Sequence, residues 1–176
     1  MGNPTRAVEE KRYLKSDLAF YGCGLNAIRT AVRQVKRDHP DLEVARLRRL
    51  VRLLWKDPTF ERRIAAVLLL DAFLSLLTPQ DIKLVERLIR ESETWALVDE
   101  LSGVIASPLV ERYPELNRTL DQWAVDQDFW VRRSALLALL RPLRRGGGDF
   151  PRFGGYADRM LDEREFFIRK AIGWVL

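Results

Sequence analysis

The sequence has little of the chemistry that binds metals or forms disulfides. Of its 176 residues, one is a cysteine and one is a histidine, Cys23 and His39. A single cysteine excludes an internal disulfide and a cysteine-based zinc site, and a single histidine excludes a multi-histidine metal site. We therefore expect a protein that uses no metal and no cofactor.

Long apolar runs are also missing. No stretch of 18 apolar residues occurs, so we expect no membrane span. The amino-terminal segment 1–15 is charged and contains no apolar signal core, which predicts an intracellular, cytoplasmic protein. Hydrophobic residues make up 47% of the chain, which is typical of a folded domain and not of a disordered segment.

The charge balance is basic but modest. Lysine and arginine total 30 against 25 aspartates and glutamates, which gives a net charge of +5. Such an excess favours nucleic acid as a partner, yet an ordinary soluble protein can carry the same charge. Composition alone leaves both interpretations open.

Most of the chain has the apolar period of α-helices. Segments 42–55, 58–77, 79–91 and 114–125 place apolar residues at i, i+3, i+4 and i+7. Short breaks containing proline separate them, and Thr78-Pro79 has the pattern of a helix start. No segment alternates with a period of two for long enough to predict a sheet. We therefore predict an all-α fold, with the glycine-rich segment 141–155 as a loop between repeats.

An internal repeat is visible within these helices. An aspartate starts each copy, and an alanine within an apolar helix follows it nine positions later; the pairs are Asp57 with Ala66, Asp126 with Ala135, and Asp162 with Ala171. A further copy near residue 93 would bring the period to the mid-thirties. Helical repeats of this length predict a HEAT- or armadillo-like α-solenoid, an α-α superhelix whose concave, here basic, face suits a DNA duplex. We expect one such domain over 1–176.

Two aromatic patterns stand out against the repeat. Trp95 and Asp99 are four residues apart, so they lie on one face of a helix. Asp99 occupies the repeat position that holds Arg63, Arg132 and Ile168 in the other copies, so it departs from the pattern. A packed tryptophan beside a surface or capping aspartate would give the same spacing. Trp130 and Trp174 are candidate ligand-binding aromatics too, although core packing between repeats is the alternative.

Several motifs resemble one known family. The carboxy-terminal segment Phe166-Phe-Ile-Arg-Lys-Ala-Ile-Gly-Trp174 is similar to that of the AlkD-like DNA alkylation repair glycosylases. Supporting motifs are Trp95-Ala-Leu-Val-Asp99, Trp130-Val-Arg-Arg133 and the amino-terminal Arg12-Tyr-Leu-Lys-Ser-Asp-Leu-Ala-Phe-Tyr-Gly22. The resemblance covers nearly the whole chain in the same order.

This resemblance implies an enzyme that removes alkylated purines, such as 3-methyladenine and 7-methylguanine, from double-stranded DNA. It implies that Asp99 is the catalytic carboxylate, that Trp95 and Trp174 flank the sugar of the lesion nucleotide, and that Arg133 binds the DNA backbone. Trp130 is a further candidate for lesion binding, and three more residues are candidates for phosphate contacts: Lys15, Arg132 and Arg169. We expect the protein to act as a monomer.

The chemistry of the implied reaction suits a sequence without metals or histidine pairs. A purine alkylated at N3 or N7 carries a positive charge and leaves as a neutral base, so no general acid is needed. The oxocarbenium-like sugar that remains can be stabilised by one carboxylate and by the faces of aromatic rings.

Two alternatives remain at this stage. A non-catalytic HEAT-type scaffold that binds DNA or protein would be favoured if Asp99 were buried in a salt bridge with Trp95 and Trp174 in the core. A catalytically idle relative that recognises an unusual DNA structure is the other. The family pattern continues past Leu176, so we expect the chain to lack the family's last carboxy-terminal helices, which would leave Trp174 on a terminal helix.

Overall fold

A computed structural model describes residues 2–175, with Val175 described by its backbone alone. The described chain divides into two compact units, Met1–Leu77 and Thr78–Leu176. Eleven α-helices account for most of the described residues, and no strand occurs among residues 2–175 beyond one isolated bridge between Ala19 and Thr59. The prediction of an all-α fold is confirmed. A single domain over 1–176 remains an expectation.

Four α-helices lie in the described part of the first unit. They are α1 (Pro4–Leu14), α2 (Leu25–Asp38), α3 (Val44–Trp55) and α4 (Phe60–Ala72), followed by a 3₁₀ turn at Leu74–Leu76. Helix α4 packs against both α2 and α3, and its buried face includes Ile64, Ala66 and Val67.

Seven α-helices lie among the described residues of the second unit, up to residue 175. They are α5 (Ile82–Arg90), α6 (Trp95–Glu100), α7 (Ser107–Arg112), α8 (Asn117–Trp123), α9 (Phe129–Arg144), α10 (Phe150–Arg159) and α11 (Phe166–Val175). Helix α9 lies at the centre of this unit and packs against α5, α6, α7, α8, α10 and α11. No helix in the described part of the chain is long and apolar enough to cross a membrane.

The three copies of the predicted repeat lie at equivalent positions on their helices. Helices α4, α9 and α11 begin three or four residues after Asp57, Asp126 and Asp162 respectively. The alanines of the repeat are fully buried in all three copies, at Ala66, Ala135 and Ala171. A small side chain at these positions lets neighbouring helices approach closely.

Long-range polar contacts in the second unit follow the same period. Side-chain hydrogen bonds join residues separated by 31 to 37 positions, about one repeat along the chain. The pairs are Glu86–Trp123, Arg90–Asp126, Asp99–Arg133, Ser102–Ser134, Asp121–Tyr156 and Arg132–Glu163. Each copy is therefore tied to the next by polar side chains as well as by apolar packing.

Helix α6 continues into α7 through one wide turn. Residues Leu101–Ala106 form a π-helix, in which the N–H of Ser107 donates to the carbonyl of Ser102, five residues earlier. Pro108 follows directly, and proline lacks an N–H and crowds the preceding turn, so an ordinary α-helical turn is disfavoured here. Ser102 lies in this turn, buried, and its hydroxyl donates to the carbonyl of Val98 and meets the Ser134 hydroxyl on α9 at 2.9 Å.

The structure corrects one element prediction. The segment 141–155 is not a continuous loop, because α9 runs to Arg144 and α10 starts at Phe150. The Asp149 carboxylate caps α10 by accepting from the N–H of Arg152 at 2.9 Å, and Phe153 and Tyr156 are buried. Burial of these two aromatics outweighs the low helix propensity of Gly154 and Gly155.

In the first unit, a buried carboxylate holds the segment between α1 and α2. Glu61, in the first turn of α4, accepts hydrogen bonds from the backbone N–H groups of Tyr21 and Cys23, both at 3.0 Å. Gly22 lies between them with φ of +71°, and a Cβ there would lie 2.1 Å from the carbonyl oxygen of Asn3. Only glycine fits this position.

We expect Glu61→Gln to destabilise the protein. Glutamine keeps one acceptor oxygen and loses the second, so one partly buried N–H loses its charged partner, and the free energy of unfolding should fall by about 1–3 kcal/mol. Urea denaturation measures this change. Glu9→Gln on the exposed surface of α1 is the control and should leave the midpoint unchanged; equal midpoints for the two variants would contradict the role of Glu61.

Candidate functional site

The predicted catalytic residue lies in a charge pair that links two helices of the second unit. Asp99, on α6, accepts two hydrogen bonds from Arg133 on α9, from Nε at 2.8 Å and from Nη2 at 2.9 Å. The Arg133 side chain is 0% exposed, whereas that of Asp99 is 18% exposed. Paired donors and paired acceptors fix the carboxylate plane relative to the guanidinium plane.

Arg133 also contacts α11. Its Nη1 donates to the backbone carbonyl of Phe167, and its guanidinium lies 5.7 Å from the centroid of the Phe167 ring and 5.3 Å from that of Trp174. One buried side chain thus joins α6, α9 and α11. Three of its N–H groups donate to acceptors within the protein, and its side chain has no exposed surface. In this arrangement Arg133 is not accessible to a phosphate, and the predicted phosphate contact stays a prediction.

Trp95 and Trp174, both predicted to bind the lesion, contact the same cation, the ammonium of Lys170. The ammonium of Lys170, on α11, lies 4.8 Å from the ring centroid of Trp174 and 5.7 Å from that of Trp95. Both distances are within the range of cation–π attraction. Trp95 is half-buried and Trp174 is 37% exposed, so neither indole belongs to the core.

Asp99, Trp95 and Trp174 are therefore joined in one group of contacts. Asp99 binds Arg133, Arg133 lies against Trp174, and Trp174 shares Lys170 with Trp95. Gly173, next to Trp174, is exposed, and among the described residues no atom outside its chain neighbours and its own helix backbone lies within 4 Å of the position of an added Cβ. We call this group the α6–α11 site: Trp95, Asp99, Arg133, Lys170 and Trp174.

Trp130 lies beside this group, not within it. Its ring is half-buried at the start of α9, 4.3 Å from the centroid of Phe129 and 5.0 Å from that of Phe167. Phe167 in turn touches Arg133. Trp130 thus reaches the α6–α11 site through Phe167, and its role in lesion binding remains a prediction.

The other residues predicted to contact phosphate differ in their exposure and in their ion pairs. Arg132 is bound to Glu163 by two hydrogen bonds, at 2.6 and 2.9 Å, which hold the pKa of Arg132 above its ordinary value, and it also donates to the carbonyls of Asp126 and Gln127. Arg169 is exposed on α11. Lys15 is exposed at the end of α1 in the first unit, with a left-handed backbone at φ of 49°.

Sequence reasoning missed two features of the site. Arg132 and Arg133 are neighbours of the same type, and nothing in the motif distinguished the buried one from the partly exposed one. Lys170 was part of the quoted carboxy-terminal motif, but its position between the two indoles follows only from the packing of α11 near α6. A lysine four residues before a tryptophan on a helix was the one available signal.

The described residues contain no group of three or more histidine, cysteine, aspartate or glutamate side chains that could hold a metal ion. The chemistry available at the α6–α11 site is therefore that of one carboxylate, two cations and two indole faces. A carboxylate next to π-faces stabilises positive charge, and an ammonium stabilises negative charge.

Two solved structures have a fold similar to that of this chain. A predicted DNA alkylation repair enzyme from Enterococcus faecalis superimposes with a TM-score of 0.89, at 19% identity, covering 99% of this chain and 81% of that one. AlkD2 from Streptococcus mutans superimposes with a TM-score of 0.64, at 15% identity, covering 86% of this chain and 72% of that one. At these identities the likeness establishes the fold, and it confirms the prediction of a helical-repeat protein.

A comparison with curated proteins gives no match. The family model described as DNA alkylation repair enzyme matches residues 1–176, the entire chain. This match confirms the resemblance seen in the sequence motifs, and it supports an enzymatic role in alkylation repair with DNA as the partner. The chain belongs to the family of DNA alkylation repair enzymes.

Proposed function

We propose that this protein is a DNA glycosylase that hydrolyses the N-glycosidic bond of cationic alkylated purines, such as 3-methyladenine and 7-methylguanine, in duplex DNA. The observation that supports this most is the α6–α11 site itself, where two indole faces already hold one cation within a group that contains a partly exposed carboxylate. Such a site suits a substrate that carries positive charge.

The reaction needs no acid on the leaving group. When the bond between the sugar carbon and the purine nitrogen breaks, its electron pair goes to the base, which leaves neutral because it started as a cation. The positive charge passes to the sugar as an oxocarbenium ion, water adds to that carbon, and the proton released goes to the carboxylate or to solvent. The residues must stabilise the sugar cation and position the water.

Asp99 can perform both tasks although it is paired. A carboxylate has about four lone-pair positions, and Arg133 uses one on each oxygen. The other positions, on a side chain that is 18% exposed, are available to a sugar or a water molecule. Arg133 acts here as a positioning residue, because its two hydrogen bonds hold the carboxylate in one orientation.

Trp95 and Trp174 supply the attraction that is specific to a cation. Each indole face contributes about 0.5–2 kcal/mol when a positive charge lies over it, and the contribution increases as water is excluded. A neutral base gains much less from the same rings. The indoles therefore favour the charged lesion over an undamaged purine without reading its hydrogen-bonding edge.

One observation favours a second candidate, a non-catalytic DNA- or protein-binding scaffold. The Asp99–Arg133 pair has a buried partner, as a purely structural salt bridge would. The exposure of Trp174 and the half-buried state of Trp95 argue against it, since a structural role for these rings predicts their burial in the core. The release assay below separates the two candidates.

We expect Asp99→Asn to lower the rate of 7-methylguanine release from methylated duplex DNA by about 100-fold or more, because the sugar cation loses its counter-charge. The measurement is single-turnover release by enzyme in excess over DNA. Asparagine also breaks one of the hydrogen bonds to buried Arg133, so the rate must be compared at a temperature where circular dichroism shows the variant folded.

Glu163→Gln is the matched control for that experiment. It breaks the equivalent carboxylate–arginine pair one residue away, with Arg132, but touches no residue of the α6–α11 site. We expect it to retain release close to the unchanged protein. Full excision by Asp99→Asn would refute the glycosylase proposal, and loss in both variants would assign the effect to stability.

We expect Arg133→Lys to lower the free energy of unfolding by about 1–3 kcal/mol, because a lysine ammonium cannot bond both carboxylate oxygens and the Phe167 carbonyl from one buried position. Guanidinium denaturation measures the loss. Arg132→Lys is the comparison: its side chain is 19% exposed, so water can replace lost hydrogen bonds and the loss should be smaller. A larger loss for Arg132→Lys would contradict the positioning role of Arg133.

A further inference from the structure

Lys170 differs from the other cation of the α6–α11 site. Lys170 is a half-buried residue whose ammonium lies over two indole faces, and among the described residues it has neither a hydrogen-bond acceptor nor a carboxylate partner. An ammonium has three N–H donors and cannot accept, so only the ring faces and solvent satisfy it here. Arg133, by contrast, donates three hydrogen bonds within the protein, two to Asp99 and one to the Phe167 carbonyl.

The charges of the site do not balance. Asp99 is neutralised by Arg133, which leaves the charge of Lys170 uncompensated. If the proposed function holds, a cationic nucleotide would bring a second positive charge to the same place. Two such charges a few ångströms apart repel one another unless an anion enters with the substrate. The anion that every nucleotide in DNA carries is its phosphodiester.

The side chain can reach such an anion without a change in the backbone. Lysine carries its charge on a flexible four-carbon stem, so the ammonium can leave the indole faces while the helix stays in place. The space that it leaves is the cation-binding space between Trp95 and Trp174. Movement of Lys170 to a phosphate would thus open this space to the lesion.

We propose that Lys170 binds the DNA phosphate adjacent to the damaged nucleotide, exchanging its position over Trp95 and Trp174 for an ion pair with that phosphate. This proposal rests on the proposed function for the identity of the substrate. It assigns to Lys170 the phosphate contact that the buried Arg133 does not offer in this arrangement.

The test is binding to a duplex that contains one tetrahydrofuran abasic analogue, which has no glycosidic bond to cleave. Affinity is measured over a range of salt concentrations for the unchanged protein, Lys170→Met and Lys170→Arg. Loss of one phosphate contact should lower the magnitude of the slope of log K against log salt by about 0.9 for Lys170→Met. Lys170→Arg keeps the charge and should retain the slope.

Lys83→Met is the matched control, since Lys83 is an exposed lysine of the second unit, on α5. It should leave the slope unchanged. An unchanged slope in Lys170→Met, or the same decrease in Lys83→Met, would overturn the proposal. Circular dichroism of each variant confirms that the helices are retained.

A second measurement locates the phosphate. Neutral methylphosphonate linkages are placed one at a time on either side of the analogue, and affinity is compared for the unchanged protein and Lys170→Met. One flanking substitution should weaken binding by the unchanged protein several-fold and leave binding by Lys170→Met unaltered, because the contact is already lost. Equal penalties in both proteins at every position would overturn the assignment. Neither measurement involves excision. Failure of the Lys170 proposal would appear in DNA binding, whereas failure of the glycosylase proposal would appear in the release of 7-methylguanine.

Discussion

The bidentate pair between Asp99 and Arg133 is the interaction on which the rest of the site depends. A guanidinium with no exposed surface requires a counter-charge and acceptors for its donors, since an unpaired buried charge costs several kcal/mol. Asp99 and the Phe167 carbonyl meet this requirement from two other helices. The positions of α6 and α11 relative to α9 are therefore coupled to the position of one side chain. Trp95 and Lys170 reach one another only because these helices are held together.

The repeat explains why such a site can form. Polar contacts in the second unit join residues about one repeat apart, and Asp99 and Arg133 are separated by 34 positions. Equivalent helices stack at the same level, so a carboxylate in one copy faces an arginine in the next. Ser102 follows Asp99 by three residues and Ser134 follows Arg133 by one. The hydrogen bond between the two serines reinforces the same helix register. Asp99, which departs from the repeat pattern, thereby lies opposite a residue of complementary charge, Arg133.

Much of this could be predicted from the sequence, and the limits have physical causes. The apolar period and the recurring aspartate and alanine gave the all-α repeat, and the spacing of Trp95 and Asp99 placed both on one helix face. The burial of Arg133 could not be predicted, because neighbouring helix positions differ by about 100° in direction and only packing decides which one faces inward. Arg132 and Arg133 therefore look alike in sequence but differ in the structure. Helix α10 was missed because its glycines obscure the Asp149 cap and its buried aromatics.

Under the proposed function, Asp99 would stabilise a sugar cation although Arg133 already neutralises its charge. Its advantage is orientation: free aspartate would rotate and carry its own water shell, whereas the paired side chain presents fixed lone pairs and needs no reorganisation when charge develops. The ion pair with Arg133 also weakens the electrostatic field of Asp99 at the sugar. Under the proposal, the two indole faces would compensate for this loss at short range. Among the described residues Lys170 has no anionic partner, so under the proposed function its charge would oppose the binding of a free cationic base. Under the same proposals, an accompanying phosphate would offset this repulsion, and binding would be restricted to cationic bases within DNA.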